Sequence, residues 1–186
     1  MYSIGIYQNT QSGFSDYLCQ ALHAGHFGFG DRQDPSAQGT QLQVQLGQSG
    51  IVPDSVLDLC VLESAELPQG ALPGAQLAVV PDLCKVETVR LLQPKSIVTY
   101  GLSCKNTVTV SSFIAQKLVV SIQREIKTLS GISIPEQEFS IHLTSAELVE
   151  AALASVTVLL LLDTPIPSIC RIFRPAAEYT EEKLTI

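Results

Sequence analysis

Over residues 2–100, short apolar runs of strand length alternate with polar turns and stretches of helical period. Tyr2–Tyr7 is β-prone and leads into the polar run Gln8-Asn9-Thr10-Gln11-Ser12-Gly13. Phe14, Tyr17, Leu18, Ala21 and Leu22 then recur at the spacing of one helix face, which predicts an amphipathic helix over 13–23. Residues 25–39 mix Gly, Asp, Pro and Ser without a period and read as a loop. Leu42, Val44 and Leu46 alternate with Gln, the pattern of a half-exposed strand near a sheet edge. Leu57–Leu62 and residues 77–80 read as buried strands, and Ser96–Tyr100 as the next strand. Between the last two, Val86, Val89, Leu91 and Leu92 suggest a short helix that Pro94 stops.

From Asn106 the pattern changes to period two. Val108 and Val110 alternate with Thr; Leu118, Val120, Ile122 and Ile126 alternate with Val119, Ser121, Gln123 and Glu125; Phe139 and Ile141 continue beyond Pro135. Antiparallel strands over residues 106–143 account for this with the fewest elements. Residues 146–162 are long enough for a helix, although 156–162 alone fit a strand equally well. The fold class is therefore α/β. A Rossmann-like, mostly parallel sheet (1–104) is followed by antiparallel strands and a C-terminal helix (105–174), in one domain ending in a polar tail (175–186). Its core is expected to hold Ile4, Ile6, Leu59, Val61, Leu77, Val79, Ile97 and Val98.

Composition narrows the setting. The chain has 186 residues, 46% of them hydrophobic, and a mean hydropathy of +0.27. Charged residues make up 16%, below the roughly 25% of an ordinary soluble domain, so part of the surface is expected to be covered by a second copy or a protein partner. Net charge is −7 with no basic patch, which argues against nucleic acid and against an anionic membrane surface. The five cysteines are odd in number and form no CxxC, a pattern that fits a reducing, cytoplasmic compartment. Met1-Tyr2-Ser3-Ile4-Gly5-Ile6 lacks the basic segment and long apolar core of a signal peptide. Residues 156–162 fall far short of the ~20 needed to span a bilayer.

Four constellations carry candidate chemistry. The turn after the first strand is where a doubly wound fold holds phosphate, and it contains Thr10, Ser12 and Gly13. Thr10-Gln11-Ser12-Gly13 resembles the phosphate loop of flavodoxins, which makes an FMN- or nucleotide-binding enzyme the alternative reading; a plain helix start capped by Ser12 or Thr10 is favoured. Cys19, His23 and His26 offer zinc-type ligands without an evident fourth, so helix-end histidines and a core-facing cysteine are favoured over a metal. Cys104 beside Lys105 fits a surface loop better than an activated thiol. Glu63 ends a buried strand where α/β sheets collect functional groups, and its carboxylate could hold Mg²⁺.

Val61-Leu62-Glu63-Ser64, the strand end Thr99-Tyr100-Gly101-Leu102, and residues 107–112 together resemble the central ATP-binding domain of Mur ligases, over roughly 55–165. In that family a glutamate closes a strand and a "tyG" strand end precedes hairpins and a helix; Glu63 takes the family's functional position. Two departures stand out. The GKT/S phosphate loop is absent from residues 8–13, and residues 63–77 carry Pro and Gly where the family has Asp and His. The resemblance thus implies a shortened Mur-ligase-like protein that has lost ATP-driven ligation and serves as an interaction or small-ligand-binding module.

Overall fold

The computed structural model describes residues 2–8, 13–29, 41–47, 56–64 and 74–174. The parallel strands are β1 (Tyr2–Tyr7), β2 (Gly28–Phe29), β3 (Gln41–Gly47), β4 (Leu57–Leu62), β5 (Ala75–Pro81) and β6 (Ser96–Tyr100). Antiparallel pairing joins β7 (Val108–Ile114), β8 (Lys117–Ile122) and β11 (Gln137–His142), and separately β9 (Ile126–Lys127) with β10 (Ser133–Ile134). Among the described residues the main sheet runs β11-β8-β7-β6-β5-β4-β1-β3-β2. Every pair from β2 to β6 is parallel, and β6 meets β7 through the single parallel bridge Tyr100↔Val108.

Helices α1 (Phe14–Ala24), α3 (Val149–Leu161) and α4 (Ile166–Ile172) share one face of the sheet, and α2 (Val86–Leu92) packs on the other. Because parallel strands need crossovers, both faces of β1, β4 and β5 are covered, so these strands read as unbroken apolar runs. Ile4, Ile6, Leu59, Val61 and Val79 pack towards Leu18 and Leu22 of α1 and towards α3. Tyr7, Leu57, Cys60, Leu62, Ala78 and Val80 form a second cluster with Leu92 of α2. The sequence expectation fails at Ile97, which is 41% exposed. It pairs with Ala78 and so lies on the α2 side, where a seven-residue helix is too short to reach over β6.

Residues 156–162 resolve as helix: α3 runs through to Leu161. It is buried nearly all round, so its apolar residues show no single face. Two polar residues inside it are satisfied by the helix itself, Ser155 Oγ donating to Ala151 O (2.8 Å) and Thr157 Oγ1 to Leu153 O (2.7 Å). Glycine-rich residues 25–39 include the short strand β2, which pairs with β3; most of that loop, and the tail 175–186, lie outside the described residues. No helix among the described residues is long and apolar enough to cross a membrane.

Candidate functional site at the carboxyl edge of the parallel strands

Strands β1, β4, β5 and β6 end side by side and deliver Gln8, Glu63, Asp82 and Gly101 to one edge. Glu63 is positioned by its own backbone, its N–H donating to Tyr7 O at 3.0 Å as the last rung between β1 and β4. Its Oε2 is buried and has no hydrogen-bond partner. A carboxylate oxygen in that state is unfavourable unless a donor or cation meets it. Asn106, 4% exposed, has a buried, unpartnered Nδ2 in the connection after β6, a second orphaned polar atom on this side of the molecule.

The neighbouring groups are structural. Asp82 accepts from Leu83 N (3.0 Å) through Oδ1 and from Ser103 N (3.2 Å) through Oδ2, fastening the β6–β7 connection to the end of β5. Gly101, at φ +145°, makes this possible: a Cβ there would lie 2.7 Å from Asp82 Cβ. The phenol of Tyr100 crosses under the site and donates to Leu62 O at 2.7 Å. Burial, reinforced by Glu150 and Glu63, pushes its pKa well above the usual tyrosine value. It therefore stays protonated and bridges β6 to β4.

Gln8 closes the start of α1. Its Oε1 accepts from Ser15 N at 3.2 Å, so the chain's own carboxamide takes a helix amide that a bound phosphate would use. The N-cap is Gly13, left-handed at φ +73° and without a side-chain cap bond. That corrects the expectation of a Ser12 or Thr10 cap. Thr10 and Ser12 themselves lie outside the described residues. None of the described residues from 2 to 64 is Lys or Arg, so nothing basic on these strands faces a triphosphate. Among the described residues at the start of α1, Gln8 thus occupies one helix amide and no cationic side chain is present, while the half-buried Glu63 carboxylate offers oxygen to a cation.

The remaining candidates are scattered. Cys19 is half-buried against the core, while His23 and His26 are exposed at the far end of α1. Among the described residues no group of three or more His, Cys, Asp or Glu is placed to hold a metal. Cys104 and Lys105 are exposed. All five cysteines are free, and burial raises the pKa of Cys19, Cys60, Cys84 and Cys170, which keeps those thiols protonated and weakly nucleophilic at neutral pH. Sequence reasoning missed Gln8, Asp82 and Asn106. Asp82, directly after the strand-closing Pro81, carried a signal; Gln8 and Asn106 sit in polar stretches that offered none.

No family model and no curated protein matches the sequence. Solved structures do match. The UDP-N-acetylmuramoylalanyl-D-glutamyl-2,6-diaminopimelate–D-alanyl-D-alanyl ligase from Acinetobacter baumannii is 11% identical, with a TM-score of 0.56 over 93% of this chain. A murein peptide ligase from Psychrobacter arcticus is 9% identical with a TM-score of 0.57 over 92%. The UDP-N-acetylmuramate:L-alanyl-γ-D-glutamyl-meso-diaminopimelate ligase from Neisseria meningitidis is 13% identical with a TM-score of 0.54 over 92%. The chain spans 45%, 46% and 65% of these three proteins' lengths. Its fold is Mur-ligase-like.

Proposed function

We propose that this Mur-ligase-like chain is a non-catalytic module that binds a small ligand or a protein partner, in a cytoplasmic setting, through a scaffold whose phosphate grip is lost. The observation that carries the reading is the closure of α1 by Gln8, where a phosphate-binding loop would leave Ser15 N open. Its supports are the lack of Lys and Arg among the described residues from 2 to 64 and the protonated thiols. The three histidines are also remote from this edge, His23 and His26 at the end of α1 and His142 at the end of β11. The half-buried Glu63 carboxylate then serves as an acceptor for a ligand's N–H, O–H or cation.

Self-association is part of the proposal. Val86 and Leu91 of α2 and Ile97 of β6 are exposed on the thinly covered face, and the chain is poor in charge. Free cysteines are consistent with a reducing compartment. The test is multiple-turnover ATP hydrolysis with Mg²⁺, in the wild type and in Glu63→Gln. The expected result is background turnover in both; turnover that vanishes with Glu63→Gln would overturn the reading.

A further inference from the structure

At the other end of α3 a cleft of about 390 Å³ opens between the β9–β10 hairpin and the turn into α4. Glu150 marks the near end of α3, close enough to Tyr100 to raise its pKa, whereas the cleft begins at Leu160. Some 15 Å of helix separate the two, at about 1.5 Å per residue. The volume falls within the range of small-molecule pockets, about 300–1,000 Å³. Ile132, Ile134, Leu160 and Ile166 supply an apolar wall, and Asp163 and Thr164 stand in it.

The wall is already assembled. Leu129 N donates to Leu161 O (2.9 Å) and Ser130 Oγ to Asp163 Oδ1 (2.8 Å), which pins the hairpin to the end of α3. The helix terminates with Asp163 N donating to Leu160 O and Thr164 N to Leu159 O, around a left-handed Asp163 at φ +62°. Glycine is the residue such a position favours, so the carboxylate is retained at a conformational cost. Ser130 engages only one of its oxygens. Beside it, Thr164 Oγ1 is buried without a hydrogen-bond partner. Acidic groups stand around the cleft: Asp163 lines it, the lining Ser133 donates to Glu125 at 2.8 Å, and Glu136 lies between two lining residues.

We propose that this cleft binds a small organic amine, its apolar body against the isoleucines and its ammonium on the Asp163 oxygen that Ser130 does not engage. The site is independent of the carboxyl edge. The probe is 2-phenylethylamine, followed by calorimetry and by isoleucine methyl NMR, with 2-phenylethanol as its uncharged analogue. Saturable binding is expected, with shifts confined to Ile132, Ile134 and Ile166, and the alcohol should bind at least about tenfold more weakly. Asp163→Asn keeps the bond from Ser130 and tolerates the left-handed backbone, so it removes charge alone; it should also weaken the amine at least about tenfold. Ile134→Trp should abolish binding by filling the cleft, and Glu63→Gln should leave it unchanged. No methyl shift at about 10 mM amine, or equal binding of amine and alcohol by the wild type, would overturn the proposal whatever the variants do.

Discussion

The parallel and antiparallel parts of this sheet bury their residues by different rules. In β4 five of six residues are buried, because helices cover both faces. In β7, of seven residues, only Val108 and Thr109 are buried. Leu118, Val120 and Ile122 of β8 point to the α3 side, while Val119 is half-buried and Ser121 faces Thr109 across the ladder. The doubly covered half ends in the candidate edge. The singly covered half extends the core on one face and leaves polar side chains on the other.

Paired truncations sharpen that contrast most. Leu59→Ala, in the doubly covered half, is expected to cost about 2–5 kcal/mol, since it leaves a cavity that rigid neighbours cannot fill. Val119→Ala should cost less than about 1 kcal/mol. Urea midpoints measure both, and similar losses would break the comparison.

Alkaline pH probes the second face of the parallel half. Burial, then the neighbouring Cys84, pushes Cys60 from 9.0 up to about 12, and burial, then Cys60, pushes Tyr7 from 10.0 up to about 12. In the unfolded chain these groups lose their protons first, so their contribution is complete below pH 9 and is lost as pH rises from 9 towards 12. Cys60→Ala removes one proton from that linkage and should flatten the slope of stability against pH by up to about 1.4 kcal/mol per unit. An unchanged slope between pH 9 and 11.5 in urea titrations would contradict the placement of Cys60.

The smallest expected effect lies in the antiparallel half and concerns what sequence reasoning could not read there. Ala115 and Gln116 join β7 to β8 with φ of +49° and +66°, a tight hairpin turn built from residues that disfavour it. Nothing in Ala-Gln announces a turn. Replacing the pair by Asn-Gly should raise stability by about 1 kcal/mol, seen as a higher melting temperature. A lower melting temperature would mean that the turn is held by contacts these side chains make.

Legibility follows the same division. Leu57–Leu62 was readable to the residue because burial on both faces leaves an almost unbroken apolar run, and Ser96–Tyr100 was readable although only Val98 and Tyr100 of it are buried. Ile97 misled because an apolar letter does not say how far the covering helix reaches. Residues 156–162 were ambiguous because a helix buried all round loses its period. At the edge, Glu63 was legible as the residue after a buried strand. Gln8 and Asp82 were not legible in their roles, since both act through backbone partners, Ser15 N and Ser103 N, that only the folded chain brings near.

Equilibrium binding of Mg·ATP by titration calorimetry tests the central claim most directly. With α1 closed by Gln8 and no Lys or Arg among the described residues from 2 to 64, no saturable heat is expected up to about 1 mM nucleotide. A dissociation constant below about 100 μM that Glu63→Gln abolishes would contradict the account.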